Sequence, residues 1–296
     1  MKSLFNGVCV AMITPFCNGK IDFDAMKKLL NRFVEAKVSA VAILATTGEG
    51  TCLSHKERSL IIKFCKRCLP QEIKLIVGVG SNNEKTLIKN IKQAKIYNVD
   101  GVLAVTPYYN KTTQDGIVEY YRRIHNEGLP VIAYNVPSRT GLNIELSTLK
   151  RLIREGLICG IKECSTDIFR ITAVKNMCKN KIALYSGEDS LNHIYFILGA
   201  NGCISVCANV FPIYIKDIYN DVINQKIKQA LEKQNRISQY INALFCQTNP
   251  IPIKYSLSLL GICKDDVRKP LVCLNDKYKK IVKLQTEKIQ NINNSN

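Results

Sequence analysis

The sequence predicts a TIM (β/α)8 barrel followed by a C-terminal helical extension. Eight short apolar runs alternate with helical patterns from residue 8 to about residue 225, and eight βα units in one chain fit a barrel better than an open sheet. No glycine-rich dinucleotide turn follows an early strand, as a doubly wound fold usually shows. At 296 residues the chain is long enough for one large barrel or two ordinary domains.

The expected strands are Val8–Thr14, Ala40–Ala45, Lys74–Gly78, Gly101–Thr106, Pro130–Asn135, Leu157–Lys162, Ala183–Ser186 and Gly202–Val206. Their near-continuous hydrophobicity suits strands buried on both faces. The first expected helix, Asp24–Lys37, sets Met26, Leu29, Leu30, Phe33 and Val34 on one face. The second starts at Ser54, where Ser54-His55-Lys56-Glu57 forms a capping box. Others are Lys85–Tyr97, Thr113–Asn126, Glu145–Arg154 and Ile168–Cys178. After about residue 225 the pattern changes. Ile227–Phe245, Pro252–Leu260 and Lys277–Ile289 are helical with no strand between them, and the polar tail Asn291–Asn296 is expected to fray. We therefore expect a barrel domain at 1–225 and a helical domain at 226–296.

Composition narrows the class. Hydrophobic content is 46% and mean hydropathy is −0.03, as in a globular protein with a substantial core. No apolar stretch approaches the ~18 residues of a membrane span. The N-terminus lacks a long apolar segment with a cleavage site, so no signal peptide is read. Thirteen scattered cysteines, an odd number, point to reduced thiols in a cytoplasm rather than a disulfide framework. Cys65 and Cys68 form one CxxC inside a helical pattern, which by itself does not complete a four-ligand metal site. The net charge is +18, from 42 Lys and Arg against 24 Asp and Glu. A basic surface can mark a nucleic-acid binder. Here Lys85, Lys89, Lys92 and Lys95 share one helical face, and no basic stretch is interleaved with aromatics, so the charge reads as solvated surface that favours acidic substrates.

Barrel enzymes place chemistry at the C-terminal ends of the strands. Those ends carry Thr46-Thr47-Gly48-Glu49, Thr106-Pro107-Tyr108-Tyr109-Asn110, Tyr134-Asn135, Lys162-Glu163 and Ser186-Gly187. Lys162 closes the apolar run Leu157–Lys162. A buried ammonium is costly, so such a lysine is paired, extended to water, or kept with a lowered pKa for imine chemistry. Nearby hydroxyls can relay protons without a histidine. His55, His125 and His193 lie far apart in helical stretches. Thr47 and Gly48 offer backbone N–H groups in a turn that suits a carboxylate, and Arg139 can bind a second carboxylate bidentately. An amine nucleophile, a hydroxyl relay and two carboxylate anchors suggest aldol chemistry between a keto acid and another acid. Each group also has an ordinary reading: a strand-ending turn at Thr47, loop packing at Tyr108 and Tyr109, a core tyrosine at Tyr134, a surface arginine at Arg139.

Gly7–Phe16 (GVCVAMITPF), Thr46–Glu49 (TTGE), Val105–Asn110 (VTPYYN), Tyr134–Gly141 (YNVPSRTG), Gly160–Glu163 (GIKE), Ser186–Glu188 (SGE) and Asn249–Lys254 (NPIPIK) are distributed along nearly the whole chain. On these segments the sequence resembles the dihydrodipicolinate synthase family of class I, pyruvate-dependent aldolases. The turn at Thr46–Glu49 and the strand-end lysine are shared with the broader group. YNVPSRTG with its arginine, VTPYYN and NPIPIK point to the synthases in particular.

The resemblance implies condensation of pyruvate with L-aspartate 4-semialdehyde followed by cyclisation, the first committed step of diaminopimelate and L-lysine biosynthesis. Lys162 would form the Schiff base and Tyr134 would donate and accept protons. Thr46 and Tyr109 would complete the relay, Tyr109 reaching in from a neighbouring subunit. Thr47 would hold the pyruvate carboxylate, Ile204 and Gly187 would line the site, and Arg139 would bind the semialdehyde carboxylate. It implies a homotetramer built as a dimer of dimers, and no metal or organic cofactor beyond the covalent imine. The alternatives are another pyruvate aldolase, such as N-acetylneuraminate lyase or a keto-deoxy sugar acid aldolase, against which Arg139 argues, and a nucleic-acid role for the basic surface.

The resemblance also implies an allosteric lysine site near Gly50, Thr51, Leu53, His55, Arg58, Asn82, Thr86 and Tyr108. Lysine-sensitive forms usually carry serine, histidine and glutamate where Gly50, Arg58 and Thr86 stand here. A cation at 58 and no anion at 86 disfavour a cationic ligand. Inhibition by lysine is therefore expected to be weak or absent, and a purified-enzyme assay showing inhibition at sub-millimolar lysine would overturn this.

Overall fold

A computed structural model describes residues 3–179 and 181–294, the side chains of 292–294 excepted. The chain opens with β1 (Gly7–Ala11) and a small antiparallel hairpin of β2 (Phe16–Cys17) and β3 (Lys20–Ile21). Then β4 (Ala40–Ile43), β5 (Lys74–Gly78), β6 (Gly101–Val105), β7 (Val131–Asn135), β8 (Gly160–Glu163), β9 (Ala183–Ser186) and β10 (Gly202–Ser205) follow in order. With β1 they form a closed, eight-stranded parallel barrel in which β1 pairs with both β4 and β10. The seam needs glycine: a Cβ at Gly202 would lie 1.9 Å from the Gly7 carbonyl oxygen. All eight expected strands are present, and four of them, β1, β4, β6 and β10, end earlier than expected. β1 stops at Ala11 because the Ile13 N–H turns to Asn209 Oδ1 (3.0 Å) and the Thr14 hydroxyl to the Gly48 carbonyl (2.7 Å). β8 begins at Gly160 because the Leu157 N–H still closes the preceding helix on Leu152 O.

The outer helices are α1 (Phe23–Glu35), α2 (His55–Cys68), α3 (Glu84–Ile96), α4 (Gln114–His125), the single turn α5 (Pro137–Thr140), α6 (Leu146–Arg154), α7 (Ile168–Cys178), α8 (Asn192–Ile197) and α9 (Pro212–Ile223). Asp22, Ser54, Asn83, Thr113 and Asp167 cap the N-termini of α1, α2, α3, α4 and α7 by accepting from backbone N–H groups, and the expected capping box at Ser54 and Glu57 is formed. Lys85, Lys89, Lys92 and Lys95 are exposed along α3. Among the described residues, no helix is long and apolar enough to cross a membrane.

Three helices follow: α10 (Ile227–Leu244), α11 (Ile251–Leu259) and α12 (Asp276–Asn294). The expected fraying of Asn291–Asn296 is corrected in part. Helix α12 continues through Asn294, with Val282 and Ile289 fully buried along its inner face, while residues 295 and 296 lie outside the described residues. Helix α10 packs on α8 and α9, and Gln234 Nε2 donates to the Asp189 carbonyl at 3.0 Å.

Helix α11 reaches the barrel mouth through a buried ion pair between Lys254 and Glu49, both side chains being at most 1% exposed. Lys254 Nζ also donates to the Asp266 carbonyl at 2.8 Å and stands 4.1 Å from the Phe16 ring centroid. Glu49 Oε2 accepts the Arg268 N–H at 2.7 Å. Breaking a buried pair leaves an uncompensated charge. Glu49→Gln is expected to lower stability by about 3–5 kcal/mol, whereas Asp115→Asn, which removes an exposed partner of Arg151, should cost under about 1 kcal/mol. Urea unfolding of both variants checks this, and equal midpoints would refute it.

Candidate active site

The site is built from strand register. β7 and β8 pair in parallel with Tyr134 opposite Lys162 and Asn135 opposite Glu163. Because side chains alternate across a strand, Tyr134 and Lys162 share one face and Asn135 and Glu163 the other. Lys162 is 5% exposed, and its Nζ stands 4.2 Å from the Tyr134 ring centroid. Thr46, Lys162 and Cys164 all stand close enough to the Tyr134 phenol to influence its ionisation or to be influenced by it. The amine, the phenol and one relay hydroxyl thus meet as expected.

Two opposed causes act on Lys162. Burial pulls its pKa down, but Tyr134, Cys164 and Asp189 pull upward more strongly, and the net direction is above the ordinary amine value. The lowered pKa considered from sequence is therefore not found in the free chain. The upward pull of Tyr134 and Cys164 requires them ionised, however. Burial raises the Tyr134 phenol and pushes the Cys164 thiol up to about 12, so both are neutral near pH 7.

Thr47 is buried, and its hydroxyl accepts from Asn249 Nδ2 at 3.0 Å. The Thr14 bond to Gly48 O holds the same turn. Arg139, in α5, is exposed, and its Nη2 donates to the Asn249 carbonyl at 3.4 Å. Ile204 is buried in β10 beside Cys9 of β1. Gly187 follows β9, where a Cβ would lie 2.8 Å from Lys162 Cε and 2.3 Å from Cys164 Sγ, so only glycine leaves the lysine room. Tyr109 is the exception. It is 90% exposed, with a left-handed backbone at φ 68°, and the single chain does not bring it to Tyr134.

A cavity of about 430 Å³ joins the mouth to the residues considered for lysine. Thr46, Tyr134 and Arg139 line it together with Gly50, Thr51, Leu53, His55, Arg58, Thr86 and Tyr108. Asn82 is not part of that wall, and its carbonyl accepts from Asn110 Nδ2 at 3.0 Å. Arg58 is buried and donates to the Gly50 and Gly78 carbonyls at 3.1 and 2.7 Å. Burial lowers it to about 10, which leaves it cationic at neutral pH. His55 is held below its ordinary value by burial and then by Lys89 and Arg58.

The profile described as Dihydrodipicolinate synthetase family matches residues 4–289. The chain belongs to the dihydrodipicolinate synthetase family. A 4-hydroxy-tetrahydrodipicolinate synthase from Clostridium novyi (strain NT) is 41% identical over 282 residues, covering 95% of each chain. The chloride-inhibited dihydrodipicolinate synthase from Acinetobacter baumannii, solved with pyruvate, superposes with a TM-score of 0.93 at 35% identity, over 96% of this chain and 99% of that one. The DHDPS from Cyanidioschyzon merolae, solved with lysine bound, matches at a TM-score of 0.93 and 29% identity, over 98% and 99% of the two chains.

Within this dihydrodipicolinate synthetase family member, some site neighbours escaped the sequence reading. Cys164 touches Tyr134 and donates to the Gly187 carbonyl at 3.4 Å. Glu163, fully buried, accepts from Arg170 Nη2 (2.8 Å) and Nε (3.1 Å) and from Asn135 Nδ2 (3.0 Å). Asn249 contacts both Thr47 and Arg139. The alternation of β7 and β8 was the available signal for Asn135 and Glu163: each follows an inward residue and must face the helices. The raised thiol of Cys164 yields a prediction. Its thiolate appears only as pH approaches about 12, and the thiolate is the reactive form. Iodoacetamide at pH 8 should label exposed Cys273 and leave Cys164 unmodified by peptide mass spectrometry. Labelling of Cys164 at a comparable rate would contradict this.

Proposed function

We propose that the chain condenses pyruvate with L-aspartate 4-semialdehyde and closes the product ring, as 4-hydroxy-tetrahydrodipicolinate synthases do. The observation that carries this reading is Lys162 Nζ 4.2 Å from the Tyr134 ring centroid, with Tyr134 and Thr46 lining one cavity. In its neutral form Lys162 attacks the pyruvate ketone and, with loss of water, forms an imine. The protonated imine withdraws electrons from the methyl carbon, and Tyr134 takes up the proton that carbon releases. The resulting enamine attacks the aldehyde, whose oxygen gains a proton. The semialdehyde amine then displaces Lys162 and the ring closes.

Thr47 holds the pyruvate carboxylate and Arg139 the carboxylate of the second substrate, while Ile204 and Gly187 line the pocket. Tyr109 joins the Thr46–Tyr134 relay from a neighbouring subunit of a homotetramer. Its exposure and strained backbone support that role, because φ > 0 is costly for a bulky residue unless its surroundings fix it. His55, Asn82 and Tyr108 flank a lysine site in which the cationic Arg58 keeps the response weak. No metal or organic cofactor enters, and the reaction is placed in the cytoplasm, a setting supported by thirteen free thiols. We take the barrel as residues 1–225 and the helical unit as 226–296, a division supported by the start of α10 at Ile227.

Borohydride reduction in the presence of pyruvate should leave an adduct on Lys162, located by peptide mass spectrometry. Absence of the adduct ends the Schiff-base reading. Tyr134→Phe should lower kcat by roughly 10²–10⁴-fold, the usual range for one positioned proton donor, with the imine still trapped. Turnover with L-aspartate 4-semialdehyde but not with sialic acid is expected. Gel filtration and Tyr109→Phe kinetics test the tetramer and the shared tyrosine.

A further inference from the structure

We propose that Asn249, supplied by the segment leading into α11, is a positioning residue that sets the spacing between the two carboxylate anchors and hence the length of aldehyde acid the site accepts. This rests on the proposed function, which makes Thr47 and Arg139 those anchors. Asn249 is the residue that touches both. Its side-chain amide donates to Thr47 Oγ1 at 3.0 Å, and its carbonyl accepts from Arg139 Nη2 at 3.4 Å.

Chemistry gives the first bond a direction. A hydroxyl has one proton and two acceptor lone pairs. When the Asn249 amide donates into Thr47 Oγ1, the Thr47 proton points elsewhere and is left to donate to a carboxylate. The second bond holds a flexible guanidinium at a defined place on the rim, so less side-chain freedom is lost when an acid binds there.

Asn249 is itself anchored. It is 5% exposed, and Lys254 of the same segment is paired with Glu49, two residues beyond Thr47. The Lys254 N–H also closes on the Pro250 carbonyl at 3.1 Å. The segment therefore grips the Thr47–Glu49 turn at both ends. Thr248, Asn249 and Pro250 line the cavity beside Thr46, Tyr134 and Arg139, and Asn249 Oδ1 is buried with no hydrogen-bond partner among the described residues.

The test uses the full-length chain and its Asn249→Ala and Asn249→Asp variants. Asp keeps the shape but removes the amide donor to Thr47. Inhibition constants are measured for succinate semialdehyde, with four carbons, and glutarate semialdehyde, with five, against L-aspartate 4-semialdehyde. Pyruvate trapping on Lys162 and the melting temperature are measured alongside. The wild type should prefer the four-carbon acid. In both variants that preference should fall about tenfold or more, the scale of one methylene's worth of discrimination, with trapping retained.

An unchanged preference in folded variants overturns the proposal. So does a uniform loss for both acids accompanied by a lower melting temperature, which marks a purely structural role, and so does failure of both variants to fold. Failure of the proposed function is separately visible, as absence of the Lys162 adduct in the wild type.

Discussion

The pairing of Tyr134 with Lys162 across β7 and β8 is the constraint on which the rest of the site depends. In a parallel ladder a slip of one residue would turn Lys162 out of the barrel and Glu163 into it. The opposite face of the same two strands guards against that slip. Glu163 there is fully buried and is held by Arg170 of α7 and by Asn135 of β7, and Asn135 Oδ1 in turn accepts the Ile144 N–H at 2.9 Å. A slipped register would leave a buried carboxylate without these donors, a costly arrangement. One face of the ladder thus carries Tyr134 and Lys162, and the other specifies where they stand.

Within that frame the protonation states follow from burial. The thiols near the site, Cys9, Cys164 and Cys203, and the Tyr134 phenol are all shifted upward, with burial the first cause in each case. Neutral neighbours solvate an ammonium poorly, although the Tyr134 ring at 4.2 Å offers its π face. Asp189 supplies the remaining attraction at a distance, its carboxylate being occupied by the Val206 and Cys207 N–H groups at 2.9 and 2.8 Å. An imine nitrogen formed at Lys162 would enter the same environment, where a phenol that stays protonated can serve as donor before it serves as acceptor.

The barrel was legible because strands buried on both faces appear as unbroken apolar runs, and Ala40–Ile43 and Lys74–Gly78 show this directly. Strand ends were less legible because they are decided by side-chain bonds from afar: Asn209 ends β1 from 196 residues away. The hairpin at Phe16–Ile21 has two-residue strands, too short for periodicity to register. Helix α8 spans only six residues, and α9 buries Tyr214, Ile215, Ile218 and Val222, too broad an apolar surface for one clean stripe. At the site, Tyr134 and Lys162 stand opposite each other because their own strands put them there. Asn249 acts across 202 residues, and nothing local to Thr248-Asn249-Pro250 says that its amide would meet Thr47.

The electrostatics of the cavity tie these observations to ligand choice. Its wall carries Arg58, cationic and tied to two backbone carbonyls, with Arg139 at the rim. Carboxylates around the mouth are engaged: Glu49 is paired with Lys254, Glu57 with Arg268, and Asp189 accepts the Val206 and Cys207 N–H groups. With Glu49 paired, Arg58 and Arg139 leave cationic side chains in excess in the wall, in keeping with the net charge of +18. A positive, partly enclosed cavity raises the local concentration of acids and lowers that of cations. Thr86, in the same wall, adds no counter-charge to Arg58.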